Sequence, residues 1–470
     1  RISLYDIPNA DITMIKGAVK RGHSAFPVWN KVQASDRAEI LNKIADLYEE
    51  KSEKLMAILA KEGFKTYADA RDEVREAVDF CRYYAAQGQA IFDQSGTLLP
   101  GPTGENNHLY HEGRGVFLCI SPWNFPLAIF TGQVVAALMA GNSVIAKPAE
   151  QTPHIAKYAV GLMHQAGVPD DVLQVVFGDG RIGQELVNHP LIAGVAFTGS
   201  MEAAHAINKA LAEKAGPITP LIAETGGQNA MIVDSSALHE QVIDDVIHSA
   251  FGSAGQRCSA LRILCVQRNI ASELFDMLAG AMAEIKVGHP LLLSSDVGPV
   301  IDGSAHNKLV HHRKYLEANG RRIAQVDMDA DLTGDFFYFA PAAFEIDSLD
   351  QLKGEIFGPI LHVITYDASS LEQLISDLNA MGFGLTFGMH SRIQSKWQNI
   401  AKKINAGNIY INRGMTGAVV GTQPFGGRGL SGTGPKAGGP SYLLGFAHEK
   451  VISENTTASG GNASLVSLTE

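Results

Sequence analysis

Cysteine is scarce in this chain. Only four of the 470 residues are cysteines, Cys81, Cys119, Cys258 and Cys265, and no pair of them has CxxC spacing. This excludes the dense disulfide framework of a small secreted protein and leaves no metal-binding cysteine cluster. Free thiols in a large acidic chain are typical of a reducing compartment, so we expect a cytoplasmic protein with no metal site.

Blocks of positive charge and long apolar runs are also missing. The formal net charge is −11 and no basic cluster stands out, so nucleic acid is not expected as a partner. The most apolar stretch, 116–146, is broken by Pro122, Asn124 and Gly132, which excludes a membrane span there. The chain starts with Arg1 rather than Met and has no signal-peptide pattern, so we expect a piece of a longer or processed protein.

The chain does contain a regular alternation of helix-like and strand-like segments. Hydrophobic residues make up 46% and charged residues 19%, as in a globular protein, and the length predicts more than one domain. Apolar residues at helical spacing predict one amphipathic helix over 36–59 and another over 68–87. From residue 116 onward, short apolar runs end in Gly, Pro or Ser and alternate with helical segments. This pattern predicts an α/β fold with parallel sheets, in two successive units that meet near Gln228.

Two glycine-containing turns are candidates for binding phosphate groups. Gly178, Gly180 and Gly183 match GxGxxG after a predicted strand, although a plain turn before a helix explains the pattern equally well. The second turn, FTGS, ends at Ser200 and also opens a predicted helix. The first amides of that helix could bind a pyrophosphate.

A lysine and a glutamate lie at the end of another predicted strand. Lys147 and Glu150 of KPAEQTP are either a solvated surface pair or the groups that bind the two hydroxyls of an adenosine ribose. A carboxylate at that position repels a 2′-phosphate, so the second interpretation favours NAD over NADP.

Two residues have the chemistry of a reacting pair. Cys258 lies between an arginine and a serine in FGSAGQRCSALR, and a neighbouring cation lowers a thiol pKa. We therefore predict an activated nucleophile in an electropositive setting, whereas the other three cysteines fit a buried core role. Glu224 stands between an apolar run and two glycines. Burial there raises a carboxyl pKa and makes the group a usable general base near neutrality.

Seven motifs occur in order along the chain, namely SPWNFP, KPAEQTP, FTGS, ETGG, GQRC, EIFGP and PFGG. Together they resemble the NAD(P)-dependent aldehyde dehydrogenase superfamily over nearly the full length. The resemblance implies a Rossmann-type NAD-binding domain over 1–227, with a small β arm for oligomerisation at about 96–115, and an α/β catalytic domain over 228–427. Residues 428–470 would form a return segment and an oligomerisation tail, and a homo-oligomer is expected.

The resemblance implies the chemical roles of three residues. Cys258 is the nucleophile, Glu224 activates the hydrolytic water, and Asn124 of PWNFP donates its amide to the oxyanion beside the Cys258 backbone N–H. Such donors contribute roughly 3–4 kcal/mol each in other acyl-transfer sites. Thiolate addition to an aldehyde, loss of hydride to NAD+ and hydrolysis of a thioester follow from this set.

The implied cofactor is NAD, bound by residues of several motifs. In the family, FTGS carries the phosphates, so Gly180 of the GxGxxG turn only lines the adenine side. Met201 stands where the family often has Thr, which leaves the phosphate role intact. The implied cofactor-binding residues are Trp123, Lys147, Glu150, Gly180, Gly199, Ser200, Glu355 and Phe357.

A closer resemblance concerns the substrate. GQRCSALR, INRGMTGAVVGTQPFGG and the terminal NTTASGGNASL resemble the glutamate-γ-semialdehyde (Δ1-pyrroline-5-carboxylate) dehydrogenases, especially the form fused to proline dehydrogenase in bacterial proline-utilisation proteins. The resemblance implies oxidation of glutamate γ-semialdehyde to glutamate, with a proline dehydrogenase domain in the parent chain. The implied substrate-binding residues are Arg257, Ser259, Gly417 and Ala418 for the α-carboxylate, and Phe125 and Phe425 for the tunnel wall.

Three alternatives stay open. In the first, the substrate is succinate semialdehyde or a simple aliphatic aldehyde. In the second, the enzyme transfers the acyl group to coenzyme A, a reaction that does not need Glu224 to activate water. In the third, the chain is a non-catalytic NAD-binding module.

Overall fold

A computed structural model describes residues 7–329, 332 and 336–456. The end of the predicted tail, 457–470, lies outside the described residues. The helices of the described part are α1 (Ile12–Trp29), α2 (Ala34–Glu50), α3 (Ser52–Glu62), α4 (Tyr67–Ile91), α5 (Ala128–Met139), α6 (Pro153–Ala166), α7 (Gly180–Asn188), α8 (Met201–Glu213), α9 (His239–Phe251), α10 (Ala271–Ala283), α11 (Gly303–Asn319), α12 (Leu371–Ala380) and α13 (Gln394–Lys403).

The strands alternate with these helices, as the sequence pattern predicts. They are β1 (Thr97–Leu99), β2 (Glu105–Gly113), β3 (Val116–Ile120), β4 (Ser143–Lys147), β5 (Leu173–Val175), β6 (Ile192–Thr198), β7 (Leu221–Glu224), β8 (Asn229–Val233), β9 (Leu261–Gln267), β10 (Arg321–Gln325), β11 (Ala342–Glu345), β12 (Ile360–Tyr366), β13 (Thr386–His390), β14 (Asn408–Ile411) and β15 (Ala447–Asn455).

The helix predicted over 36–59 is two helices in the structure. Lys51 separates α2 from α3 with φ −99° and ψ 16°, which is outside the helical range. The break allows Leu41 of α2 and Leu55 of α3 to pack in the same hydrophobic core. Tertiary packing therefore overrides a helical period that continues through the junction.

The first sheet has five parallel strands in the order β5-β4-β3-β6-β7. Its strands read as continuous apolar runs because helices cover both faces, which is typical of parallel sheets. The chain builds β3, β4 and β5 on one side and then crosses to β6 and β7. The resulting switch point lies between the carboxyl ends of β3 and β6, where such sheets bind ligands.

The second sheet has seven strands in the order β10-β11-β12-β9-β8-β13-β14, all parallel except β10. The four residues 225–228 connect the carboxyl end of β7 to the amino end of β8. The loop before β9, which contains Cys258, therefore comes from the amino edge of this sheet and meets the carboxyl edge of the first. The predicted α/β class with parallel sheets is confirmed.

A small antiparallel sheet, in the order β1-β2-β15, stands apart from both. Its first two strands fall in the arm predicted at about 96–115, and its third comes from the same chain, nearly 340 residues away in sequence. Before β15 the chain returns to the first sheet, where Phe446 packs against Phe117 with ring centroids 4.6 Å apart. No helix of the described residues has the length and apolar character that a membrane crossing needs.

Candidate active site

One cleft of about 1950 Å³ opens where the two sheets meet. It lies at the carboxyl ends of β3 and β6, which is the switch point of the first sheet. The predicted site residues that line it are Trp123, Asn124, Gly199, Ser200, Cys258, Glu355 and Phe357. The structure thus brings together predicted residues from four of the seven sequence motifs.

The backbone before Cys258 has an unusual conformation. Ser253, Ala254 and Gly255 all have positive φ, at 53°, 53° and 63°. Non-glycine residues adopt this region rarely, and such strained backbone persists where surrounding contacts enforce it. The tight bend ends α9 and turns the chain so that Cys258 reaches the cleft.

Two buried polar side chains enforce this bend, and sequence reasoning missed both. Arg262 donates to the carbonyls of Gly255 at 2.7 Å and Gly358 at 3.1 Å, and its other nitrogen lies 3.3 Å from Glu355. Asn229 donates from its amide to the Cys258 carbonyl at 2.6 Å. Both are nearly fully buried. For Arg262, the sequence did contain a signal, namely an arginine inside the apolar run of β9. A buried arginine needs hydrogen-bond or ionic partners, so its position indicated a structural role.

Asn124 is held beside the cysteine loop. Its side-chain nitrogen donates to the Gln256 carbonyl at 3.1 Å. An amide NH2 carries two donors, so one N–H stays available for a ligand. The turn that carries Asn124 is fixed by Glu73 of α4, whose carboxylate accepts the backbone N–H groups of Leu127 at 2.8 Å and Ala128 at 3.3 Å.

The electropositive setting expected for Cys258 is wrong. The thiol is only partly exposed, and removal from bulk water raises its pKa to about 12, with Glu355, Glu224 and Glu76 acting in the same direction. Arg257 does not supply the expected cation, because its guanidinium bonds Asp69 at 2.6 Å and the Ser253 hydroxyl at 3.1 Å. The neighbour in sequence is thus neutralised by a carboxylate from α4.

Glu224 stands at the end of β7 among glycines of the return segment. Removal from bulk water raises its pKa to about 8, against the opposing effects of the Gly427 N–H and Lys436. The expected rise in pKa is confirmed. The Gly427 N–H donates to Oε2 at 2.9 Å, while the buried Oε1 has no hydrogen-bond partner among the described residues.

The implied phosphate-binding turn has the geometry of a helix cap. The Ser200 hydroxyl accepts the Ala203 N–H at 3.2 Å at the start of α8, which leaves the first amides of the helix without intrahelical partners. At Gly199 a Cβ would collide with the Phe197 ring at 2.6 Å, so only glycine fits this turn. An anion at this position would meet unpaired N–H groups.

The implied ribose-binding pair lies at the end of β4 and in the turn that follows it. Lys147 is buried and donates to the Pro148 carbonyl at 3.1 Å, and Glu150 is exposed. Burial lowers the pKa of Lys147, and the nearby carboxylates of Glu150 and Asp179 partly oppose this effect. Gly180 is the first residue of α7, with open space where a Cβ would stand.

Glu355 and Phe357 form the opposite wall of the cleft. Trp123 meets the Phe357 ring edge-on, with centroids 5.6 Å apart at 89°. The Glu355 carboxylate lies so close to Gly226 that a side chain there would overlap it. The glycines of the ETGG motif therefore leave room for the Glu355 carboxylate, which comes from a loop distant in sequence.

The implied substrate residues come from separate segments of the chain. Ser259 is buried, Gly417 has φ 74°, and Ala418 is half-buried. Phe425 exchanges two backbone hydrogen bonds with Ala437, each 2.9 Å long.

Phe125, the other implied wall residue, is flanked by two cations from different segments. Lys65 Nζ lies 4.0 Å from its ring centroid and the Arg257 guanidinium carbon 5.7 Å. Sequence reasoning missed Lys65 and Glu76. Burial and Glu73 raise the pKa of Glu76 to about 7. The described ranges 7–329 and 336–456 contain no cluster of three His, Cys, Asp or Glu side chains that could hold a metal ion.

The site and fold have close counterparts among known proteins. The bifunctional protein PutA of Klebsiella aerogenes is 49% identical over 425 residues, which cover 89% of this chain and 31% of that protein. A 1-pyrroline-5-carboxylate dehydrogenase of Geobacillus sp. WCH70 is 34% identical, covering 95% of this chain and 87% of the relative.

Solved structures agree with these relatives. A crystal structure of a point mutant of Bradyrhizobium japonicum proline utilization A superposes with a TM-score of 0.94 and 54% identity, covering 97% of this chain and 46% of that one. The 1-pyrroline-5-carboxylate dehydrogenase from Thermus with bound NAD gives 0.90 and 32%, covering 95% and 86%. The chain thus spans between about a third and a half of the PutA proteins and most of the 1-pyrroline-5-carboxylate dehydrogenases.

A sequence profile of the aldehyde dehydrogenase family matches residues 2–452. This match covers nearly the whole chain, and every motif of the cleft falls within it. The chain belongs to the aldehyde dehydrogenase family.

Proposed function

We propose that this chain oxidises glutamate γ-semialdehyde, the open form of Δ1-pyrroline-5-carboxylate, to glutamate with NAD. The observation that carries the proposal is the meeting of Cys258, Asn124 and Glu355 in one cleft at the switch point of a Rossmann-type sheet. The relatives named 1-pyrroline-5-carboxylate dehydrogenase support the choice of substrate.

The chain's own groups account for the first half of the reaction. The Cys258 thiol loses its proton to solvent and its sulfur adds to the aldehyde carbon, while the free N–H of Asn124 and the Cys258 backbone N–H stabilise the oxygen as it gains charge. The bond from Asn124 to the Gln256 carbonyl holds the amide in place before the substrate arrives. Bound NAD+ supplies the hydride acceptor that converts the adduct into a thioester.

Hydrolysis of the thioester falls to Glu224. The unpartnered Oε1 can accept a proton from water, whose oxygen forms the new bond to the acyl carbon while the C–S bond breaks. Transfer to coenzyme A would need no such base, so Glu224 favours hydrolysis. The proton stays on Glu224 until solvent removes it.

The residues present fit NAD as the cofactor. The unpaired amides after Ser200 suit the pyrophosphate, and Lys147 with Glu150 suits the adenosine ribose. Glu355 and Phe357 would bind the nicotinamide riboside beside Cys258, with Trp123 behind the Phe357 ring. Gly180, with open space where a Cβ would stand, suits the adenine side, and Gly199 belongs to the phosphate-binding turn.

The substrate carries a carboxylate and an ammonium group at its far end. We assign the carboxylate to Ser259 and the amides of Gly417 and Ala418, with Arg257 adjacent, and the carbon chain to the space between Phe125 and Phe425. Glu76 acts electrostatically on Cys258, and its ionised form offers a negative charge that suits the ammonium group.

The PutA relatives support a longer parent protein in which a proline-oxidising domain supplies the aldehyde. The exposed arm sheet supports contact with a second subunit, as proposed for a homo-oligomer. Four unpaired cysteines support a reducing, cytoplasmic location.

The substrate assignment is tested by comparing aldehydes. We expect kcat/KM for glutamate γ-semialdehyde to exceed that for propanal at least about 100-fold, because hydrogen bonds to a charged group contribute about 1.5–3 kcal/mol each. The Ser259→Ala protein should lose about tenfold with glutamate γ-semialdehyde and nothing with propanal. NADH absorbance measures both rates, with succinate semialdehyde as a third substrate. Equal values of kcat/KM for the three aldehydes would exclude the carboxylate assignment.

The thiol pKa is tested by alkylation. In the absence of cofactor, the rate of Cys258 labelling by iodoacetamide should keep rising with pH beyond pH 9, because its pKa is near 12. NAD+ should accelerate labelling near neutral pH, since a cation beside Glu355 opposes its effect on the thiol. The Cys258→Ala protein measures background labelling, and a plateau below pH 8 without NAD+ would contradict the raised thiol pKa.

A further inference from the structure

Lys436 lies in the return segment and belongs to none of the seven motifs. Its neighbour Ala437 pairs with Phe425 through two backbone hydrogen bonds of 2.9 Å, so this part of the segment is fixed against the implied tunnel wall. The lysine side chain is half-buried. Its ammonium group is held by hydrogen bonds to two neighbouring residues, Gly407 and Asn408.

The ammonium group is anchored at the start of β14, beside the turn at 424–427. It donates to the Gly407 carbonyl and, at 2.9 Å, to Asn408 Oδ1. Asn408 in turn donates to the Pro424 carbonyl at 2.9 Å, and its Oδ1 also accepts the Gly426 N–H at 3.4 Å. Asn408 therefore holds both ends of this turn, and Lys436 holds Asn408 in place.

The turn at 424–427 contacts the Glu224 carboxylate directly. Gly427 donates to Glu224 Oε2 at 2.9 Å. A Cβ placed on Gly426 would meet Glu224 Oε1 at 2.7 Å and Lys436 Cγ at 3.2 Å. The carboxylate and the lysine stem thus flank the same glycine, which has room for no side chain of its own.

The other titratable groups around this pair are few. Arg428 acts on Lys436 from the next position of the turn and donates to the Ala406 carbonyl at 2.9 Å. The Cys258 thiol and the buried Tyr442 hydroxyl also lie within the field of Glu224. Neither is a cation, and Lys436 is the cation that opposes the effect of burial on Glu224.

We propose that Lys436 is a positioning residue for thioester hydrolysis, which holds the Gly426–Gly427 turn against Glu224 and supplies the counter-charge of its carboxylate. The proposal rests on the role of Glu224 as the base. A cation favours the ionised carboxylate, and only that form accepts a proton from water. Loss of the cation should therefore raise the pKa of Glu224 and move hydrolysis to higher pH.

The test uses p-nitrophenyl acetate, which acylates a thiol without aldehyde or NAD+. The Cys258 sulfur bonds to the acetyl carbon as p-nitrophenolate leaves, and water then releases acetate with its proton passing to Glu224. The burst of p-nitrophenolate reports acylation, and the rate after the burst reports hydrolysis. Both are measured from pH 6 to 10 for Lys436→Gln, which keeps a hydrogen-bond donor without charge, and Lys436→Arg, which keeps the charge.

We expect Lys436→Gln to retain the burst, to hydrolyse the acyl-enzyme about tenfold more slowly at pH 7, and to shift the midpoint of its pH profile upward by about one unit. Lys436→Arg and the control Arg428→Gln should keep the parent profile. Lys436→Met is the second neutral variant should the glutamine protein not fold. Unshifted profiles in both neutral variants, or an equal shift in the arginine variant, overturn the proposal. An enzyme that shows this charge dependence but leaves glutamate γ-semialdehyde unoxidised refutes the substrate assignment and not the role of Lys436.

Discussion

The Cys258→Ala protein is expected to fold, to bind NAD+ and to produce no NADH from glutamate γ-semialdehyde, with kcat lower by roughly 10⁴-fold or more. The reason is that no other described cysteine can replace the sulfur, because Cys81, Cys119 and Cys265 are buried in the cores. NADH absorbance measures turnover, and calorimetric titration measures NAD+ binding.

The matched control is Cys265→Ala, which removes a thiol from β9 without changing the cleft. It should lose some stability, because the side chain is fully buried, and keep its kcat. Turnover by Cys258→Ala above one part in a hundred of the parent rate would show that another group forms the covalent bond. Parent protein that binds NAD+ yet oxidises no aldehyde would favour the non-catalytic module.

The Glu224→Gln protein is expected to make about one NADH per active site and then to stop. The amide preserves the shape of the side chain but cannot accept a proton, and general bases contribute about 10²- to 10⁴-fold. Stopped-flow absorbance should show the single turnover, and mass spectrometry should show an acyl group on Cys258.

The pH profile provides a second measurement of the same prediction. A base works only when deprotonated, so hydrolysis by the parent protein should increase as pH rises through about 8, the pKa of Glu224. In Glu224→Gln this increase should disappear. The control Glu213→Gln changes an exposed glutamate of α8 and should match the parent protein. Undiminished steady turnover by Glu224→Gln would remove Glu224 from the mechanism.

The sequence predicted the parts of the site that depend on local order. Strands ending in Gly, Pro or Ser predicted a parallel sheet, and the carboxyl ends of its strands placed Asn124, Ser200 and Glu224 near one edge. Short motifs carry this information because a strand, its turn and the next helix are contiguous.

The contacts that arise between distant segments were not predictable in the same way. Arg257 meets Asp69 across 188 positions, so its neighbour Cys258 gains no cation from it. Arg262 and Lys436 donate to backbone carbonyls of other loops. Because every residue has a backbone carbonyl, the sequence does not show which one a side chain will bond. The break at Lys51 is similar, since the shape of the core and not the local period decides it.

The pairing of β15 with β2 has a consequence for the order in which the molecule forms. Residues 105–113 emerge early during synthesis, but their partner 447–455 leaves the ribosome only after both larger sheets are complete. Until then the free edge of the β1-β2 pair exposes its amide and carbonyl groups. An exposed edge of this kind readily pairs with a strand of another chain. Shortening the chain at its carboxyl terminus before residue 447 would make that exposure permanent, and aggregation during expression is the expected outcome.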